Sequence, residues 1–195
     1  MLKKILILSI LMFTLSSCWS DETTADLETN GLTTFEWTGY SISIPGNWDV
    51  MNDKKNILPE PSQGKIELSV QSSQPKGGFL NNLLILSDTL KTFTNSVEYS
   101  MANNVGARRE YIDYLELENK EFTFLDENKS QLYVFEAKYN LETPKLKFLQ
   151  TAYVCNPNKG YFLTIAISPS IKKIDKYETL LSTFSCNPWE DLSEL

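Results

Sequence analysis

Apolar and polar positions alternate with a period of two over much of this chain, and two stretches shift to a period of three to four. Tyr40, Ile42 and Ile44 share one face of a predicted strand over 40–44, which Pro45-Gly46 ends. Residues 49–64 carry charges, Pro59, Pro61 and Gly64, and predict a loop. Alternation returns over 66–71, followed by a turn at Pro75-Lys76-Gly77-Gly78. Leu83-Leu84-Ile85-Leu86 is a continuous apolar run, expected of a strand covered on both faces.

The first helical period begins there. Ser87 or Asp88 is the expected cap, with Leu90, Phe93, Val97 and Met101 as the buried face and Gly106 as the stop. Tyr111–Glu118 and Glu121–Leu125 read as two strands about a hairpin at Asn119-Lys120. Strands follow at Gln131–Tyr139, Lys145–Cys155 and Tyr161–Ile167, separated by breaks at 140–144 and 156–160. A last helix is predicted over 171–184, burying Ile174, Tyr177, Leu181 and Phe184. Strands, a helix, an antiparallel meander and a closing helix define an α+β domain, an antiparallel sheet flanked by helices.

The N-terminus obeys neither period. Met1-Leu2-Lys3-Lys4 is a basic start, and Ile5 to Phe13 is apolar apart from Ser9. A run this short cannot span about 30 Å of hydrocarbon and fits a cleaved signal. Leu15-Ser16-Ser17-Cys18 then resembles the lipobox of bacterial lipoproteins, in which the cysteine is acylated (palmitate among its chains) and becomes the first mature residue. The resemblance implies a signal peptide over 1–17 and a lipid on Cys18. It places the protein outside the cytoplasm, anchored to the cell membrane or outer membrane. Residues 18–33 are polar, acidic and without periodicity, which predicts a flexible tether. One domain over 34–188 and a short tail at 189–195 complete the division.

Composition removes several chemistries. The 195 residues contain no histidine, so a histidine-based nucleophile or metal site is excluded. The net charge of −7 opposes nucleic-acid binding. Removing the signal takes Lys3 and Lys4 with it, leaving 16 basic and 25 acidic side chains, a net −9. Such a head is repelled by anionic lipid, so its expected partner is another envelope protein.

Of three cysteines, Cys18 takes the lipid. The strand at 161–167 carries the chain about 23 Å from the turn at 156–160. A helix over 171–184 can return it by about 21 Å. Cys186 is then expected beside Cys155, and an oxidising compartment permits a disulfide. The alternative is two separate buried thiols.

Tyr40-Ser41-Ile42-Ser43-Ile44-Pro45-Gly46-Asn47-Trp48 resembles the opening of PsbP-like domains: an aromatic strand, a proline, and a tryptophan three residues later. Asn81-Asn82-Leu83-Leu84-Ile85 is similar to their third strand. The order of helix, meander and final helix agrees over about 38–187. The resemblance implies an α/β/α sandwich, and binding or assembly rather than catalysis.

Other candidates have ordinary explanations. Glu110, Asp113, Glu116, Glu118, Glu121, Asp126 and Glu127 could supply oxygen ligands, but without EF-hand spacing they read as solvated carboxylates. Arg108-Arg109 suits a helix C-terminus. Trp37 and Trp48 suit packing, and Gly77-Gly78 lacks the spacing of a phosphate loop. The loops 49–64 and 72–79 are the expected recognition sites. No catalytic residue, metal or cofactor is expected. The leading expectation is a non-catalytic binding or assembly module; the alternatives are a carrier of a small apolar ligand or lipid, and a carboxylate-based hydrolase.

Overall fold

The structure is a computed structural model that describes residues 31–51, 64–76, 78–156 and 158–187. Cys18, most of the expected tether and the C-terminal tail lie outside the described residues. Among the described residues, ten strands and two helices run in the order β1 (Leu32–Trp37), β2 (Tyr40–Pro45), β3 (Trp48–Val50), β4 (Lys65–Ser72), β5 (Asn82–Thr89), α1 (Ser96–Glu110), β6 (Ile112–Thr123), β7 (Lys129–Lys138), β8 (Leu146–Asn156), β9 (Lys159–Ile167), α2 (Asp175–Ser182) and β10 (Ser185–Cys186). No helix among the described residues is long and apolar enough to cross a membrane.

The main sheet has the order β3-β4-β5-β9-β8-β7-β6, with every neighbour antiparallel. A second sheet, β1-β2-β10, lies against one of its faces. The alternation of β7 shows how the two faces are used. Leu132 and Val134 join a core with Tyr40, Ile42, Ile44, Tyr177, Leu180, Leu181 and Phe184, from the small sheet and α2. Tyr133, Phe135 and Ala137 point the other way, into a core shared with Ala107 of α1. Successive strand side chains face opposite sides, so the two helices sit on opposite faces of the sheet.

Aromatic side chains fill the first core. Phe184 lies 5.5 Å from Tyr40, 5.2 Å from Tyr161 and 5.3 Å from Tyr153, centroid to centroid. Asn81 ties the layers together: its amide donates to the Tyr177 hydroxyl (3.1 Å) and its carbonyl accepts from Ser168 N–H (3.2 Å). The asparagine before the apolar third strand is thus a buried polar clasp between α2 and the sheet.

Several boundaries differ from the sequence pattern. β1 begins at Leu32, two residues inside the stretch assigned to the tether. β5 is buried on one face only: Leu83 and Ile85 are fully covered, whereas Leu84 and Leu86 are half-buried. β6 runs unbroken through Asn119-Lys120, and its turn to β7 comes later, at Asp126-Glu127-Asn128. Two bulges insert extra residues in β6, between Ile112 and Leu115 and between Glu116 and Glu118, which shifts the phase of its alternation. The last helix is shorter than predicted, although Tyr177, Leu181 and Phe184 are buried as its spacing implies. Trp48 is packed, while Trp37 is 38% exposed at the edge of the β1–β2 hairpin.

Cys155 at the end of β8 is joined to Cys186 in β10, with Cα atoms 5.6 Å apart. The helix returns the chain to the strand end it left, and the bond fastens the small sheet to the large one.

Candidate functional site

Helix α1 differs most from expectation, and the difference exposes a candidate binding face. Its start is set by Asn95, whose side chain accepts from Glu98 N–H at 2.9 Å while the Glu98 carboxylate accepts from Asn95 N–H at 3.4 Å. This reciprocal capping box satisfies amides that would otherwise be orphaned. The helix therefore begins at Ser96, well after Ser87 and Asp88, and leaves Leu90 and Phe93 outside.

That start also fixes which face meets the sheet. Ser96, Ser100, Asn104 and Ala107 are buried. Ser100 donates to the Gln131 carbonyl (2.6 Å), Asn104 donates to the Tyr114 hydroxyl (2.9 Å), and Val154 N–H donates to Ser96 Oγ (2.9 Å). Small polar side chains bring the helix backbone close to a sheet face already filled by Tyr133, Phe135 and Phe148. Buried hydroxyls and amides are tolerated because each finds a partner.

The apolar side chains consequently point outward. Phe93 is 82% exposed, Met101 51% and Val105 49%, with half-buried Val97 between them. Spacing by four places Val97, Met101 and Val105 along one stripe of the helix. At the N-terminal end the stripe opens into a groove of ≈ 730 Å³ lined by Phe93, Val97, Val154, Asn128, Lys129 and Asn156. Val154 and Asn156 flank Cys155, so the disulfide holds the strand end that forms one wall. Tyr99 lies over Gly160, where an added Cβ would come within 2.6 Å of its ring. Burial, helped by the Asp88 charge, pushes the Tyr99 hydroxyl up to about 12.

Arg108 and Arg109 lie in the last turn of α1, not beyond it. Arg108 pairs with Glu116 and donates to Asn104 Oδ1. The clustered acids run from Glu110 at the end of α1 along β6 and into its turn. Asp113 faces Lys138, Glu118 faces Lys120, and Glu121 faces Lys129. Asp126 accepts from Tyr153. Among the described residues no three acidic or cysteine side chains gather as metal ligands. Of the loops expected to carry recognition, residues 52–63 lie outside the described residues, and the candidate face is on α1 instead. The capping box was legible as Asn95-x-x-Glu98, a signal that outranks the apolar spacing upstream.

A PsbP (CyanoP) from Synechocystis sp. PCC 6803 has a similar structure over 81% of this chain and 94% of its own, with a TM-score of 0.55 at 11% identity. The domain has a PsbP-like fold. A protein of unknown function from Pseudomonas aeruginosa, PA94, aligns at TM-score 0.47 and 12% identity, over 75% of this chain and 88% of its own. A protein from Bacteroides thetaiotaomicron VPI-5482 aligns at 0.46 and 9%, over 81% and 49%. No protein-family model and no curated protein matches the chain. The α+β, largely antiparallel architecture is that of the PsbP-like fold, and such a scaffold hosts unrelated functions.

Proposed function

We propose that this protein is an envelope lipoprotein whose PsbP-like domain is a non-catalytic protein-binding or assembly module, presenting α1 to its partner. The observation that carries this reading is the inverted helix: Ser96, Ser100 and Asn104 turn to the sheet while Met101 and Val105 turn to water, with Phe93 exposed just before the helix. Exposed apolar side chains grouped in this way mark interaction surfaces. The acids on β6 are taken up in surface ion pairs with Arg108, Lys120, Lys129 and Lys138 instead of converging on a shared site.

Anchoring rests on Leu15-Ser16-Ser17-Cys18. Each buried methylene of a lipid chain contributes about 0.8 kcal/mol, so several chains on Cys18 hold the protein at the membrane. Cys18→Ala is expected to abolish processing at this site, and globomycin treatment should likewise accumulate the unprocessed form. Once processed elsewhere, the variant should move from the membrane pellet to the soluble extracytoplasmic fraction. Unchanged membrane retention of a processed Cys18→Ala protein would show the anchor to be wrong.

Binding through α1 is tested separately with a photo-reactive side chain at Val105. Covalent adducts to protein are expected there and not at Lys172, which is exposed on the opposite side of the sheet from α1. Adducts at neither position would remove the docking reading. A carrier of a small apolar ligand is the second reading, favoured by the groove beside Phe93 and Val154. Displaceable binding of a fluorescent fatty acid, lost in Val97→Asp, would support it.

A further inference from the structure

We propose that the α1 face is covered by a second copy of this chain, packed antiparallel about a two-fold axis. The inference rests on reading α1 as a protein-docking face, and it names the partner. What points to a second copy is the self-complementarity of the stripe. Glu98 stands in the first turn of α1, and Arg108 and Arg109 stand in the last. An antiparallel copy sets each acidic end against a basic end, and opposes the two helix dipoles favourably.

The register follows from the helix itself. A two-fold axis crossing α1 level with Asn103 brings Met101 onto the copy's Val105, and Val105 onto the copy's Met101. The same axis brings Glu98 level with the copy's Arg108 and Arg109. Interfaces of this kind are isologous, with the same contacts made twice. The charges are available: Arg109 is exposed and has no ion pair among the described residues, whereas Arg108 is already held by Glu116. Glu98 uses Oε2 in the cap, and its other oxygen has no partner among the described residues. Ala102 is exposed and Gly106 half-buried on the flank of the stripe, and both are small enough for close approach of two helices.

The sheet edge does not offer the same opportunity. β6 forms one end of the main sheet, but it carries two bulges and a row of carboxylates. These are devices that discourage edge-to-edge pairing. Two fifteen-residue helices packed side by side make a contact at the small end of specific interfaces, so a concentration-dependent dimer is expected.

Sedimentation velocity on the full chain in detergent, from about 1 to about 100 µM, tests this. The wild type should pass from monomer to dimer across the range. Met101→Asp and Arg109→Glu should each weaken association at least tenfold, and circular dichroism should be unchanged because both residues are exposed. Glu98→Lys combined with Arg109→Glu should regain part of the association lost in Arg109→Glu, with helicity followed by circular dichroism because Glu98 also closes the capping box. A wild type monomeric throughout, or a dimer indifferent to both Met101→Asp and Arg109→Glu, overturns the proposal. Photo-crosslinking from Val105 separates the two readings. Adducts of twice the chain mass support the dimer. Adducts only to a different protein overturn the dimer and leave the docking face standing. The absence of adducts removes both.

Discussion

Phe184→Ala is expected to lower the free energy of unfolding by about 3–5 kcal/mol, the range for truncating a buried phenylalanine. Phe184 is fully buried, and its ring meets Tyr40, Tyr161, Tyr153 and Phe124 from four different elements. Those neighbours belong to β2, β9, β8 and the turn after β6, so no single element can move in to fill the void. Part of the loss is transfer free energy and part is the cavity. Urea unfolding followed by fluorescence should show a lower midpoint with an unchanged slope, the signature of lost stability in an unaltered two-state transition. Phe93→Ala is the matched control. With Phe93 82% exposed, its truncation should change stability by under about 0.5 kcal/mol. A midpoint for Phe184→Ala within error of the wild type would contradict the core as described.

Loss of the disulfide should be the second large effect. The bond between Cys155 and Cys186 closes a separation of 31 residues. Removing it by Cys155→Ala with Cys186→Ala should cost roughly 3–4 kcal/mol in the chain-entropy account. The same drop should appear when the wild type is unfolded with reductant, and the double variant should be insensitive to reductant. The consequences are local as well. β10 consists only of Ser185 and Cys186, pairing with Ser41 and Tyr40, so it has few ladder bonds of its own. Without the bond, β10 should be among the first amides to exchange, and the strand end bearing Val154 and Asn156 should loosen with it. Because Phe184 lies two residues from Cys186, combining the two changes should not give the sum of their effects. Reductant that left the wild-type midpoint unmoved would show that the bond does not form.

These effects concern the α2 side of the sheet, which was the more legible half. Tyr40, Ile42 and Ile44 alternate, and all three are buried. Tyr177, Leu181 and Phe184 follow helical spacing, and all three are buried too. The pairing of Cys155 with Cys186 followed from strand rise against helix rise. In each case the local period and the tertiary environment agree, because an apolar stripe faces an apolar sheet.

The α1 side was not legible in the same way. Apolar spacing through Leu90, Phe93, Val97 and Met101 placed the wrong face inward. Two physical facts prevailed over it. The Asn95–Glu98 capping box fixes where helical hydrogen bonding starts. The sheet surface beneath is filled by large aromatic rings and carries the Gln131 carbonyl and the Tyr114 hydroxyl, so it accepts small side chains that can hydrogen bond. β6 misled for a related reason. Asn119-Lys120 has turn-prone chemistry, but two bulges absorb the break in alternation and the ladder with β7 continues past it. Ladder hydrogen bonds to a long partner outweigh a weak local turn preference.

The sequence alone determined what local chemistry can carry. It set the absence of histidine chemistry, the acidic charge, the strand-rich order and the residues of the α2-side core, and it supplies the lipobox-like Leu15-Ser16-Ser17-Cys18 on which the proposed anchor rests. Only the tertiary structure decided which way α1 faces. Burial is a property of the surface a helix meets, and an apolar stripe turned to water can be distinguished from one turned to a core only when that surface is known.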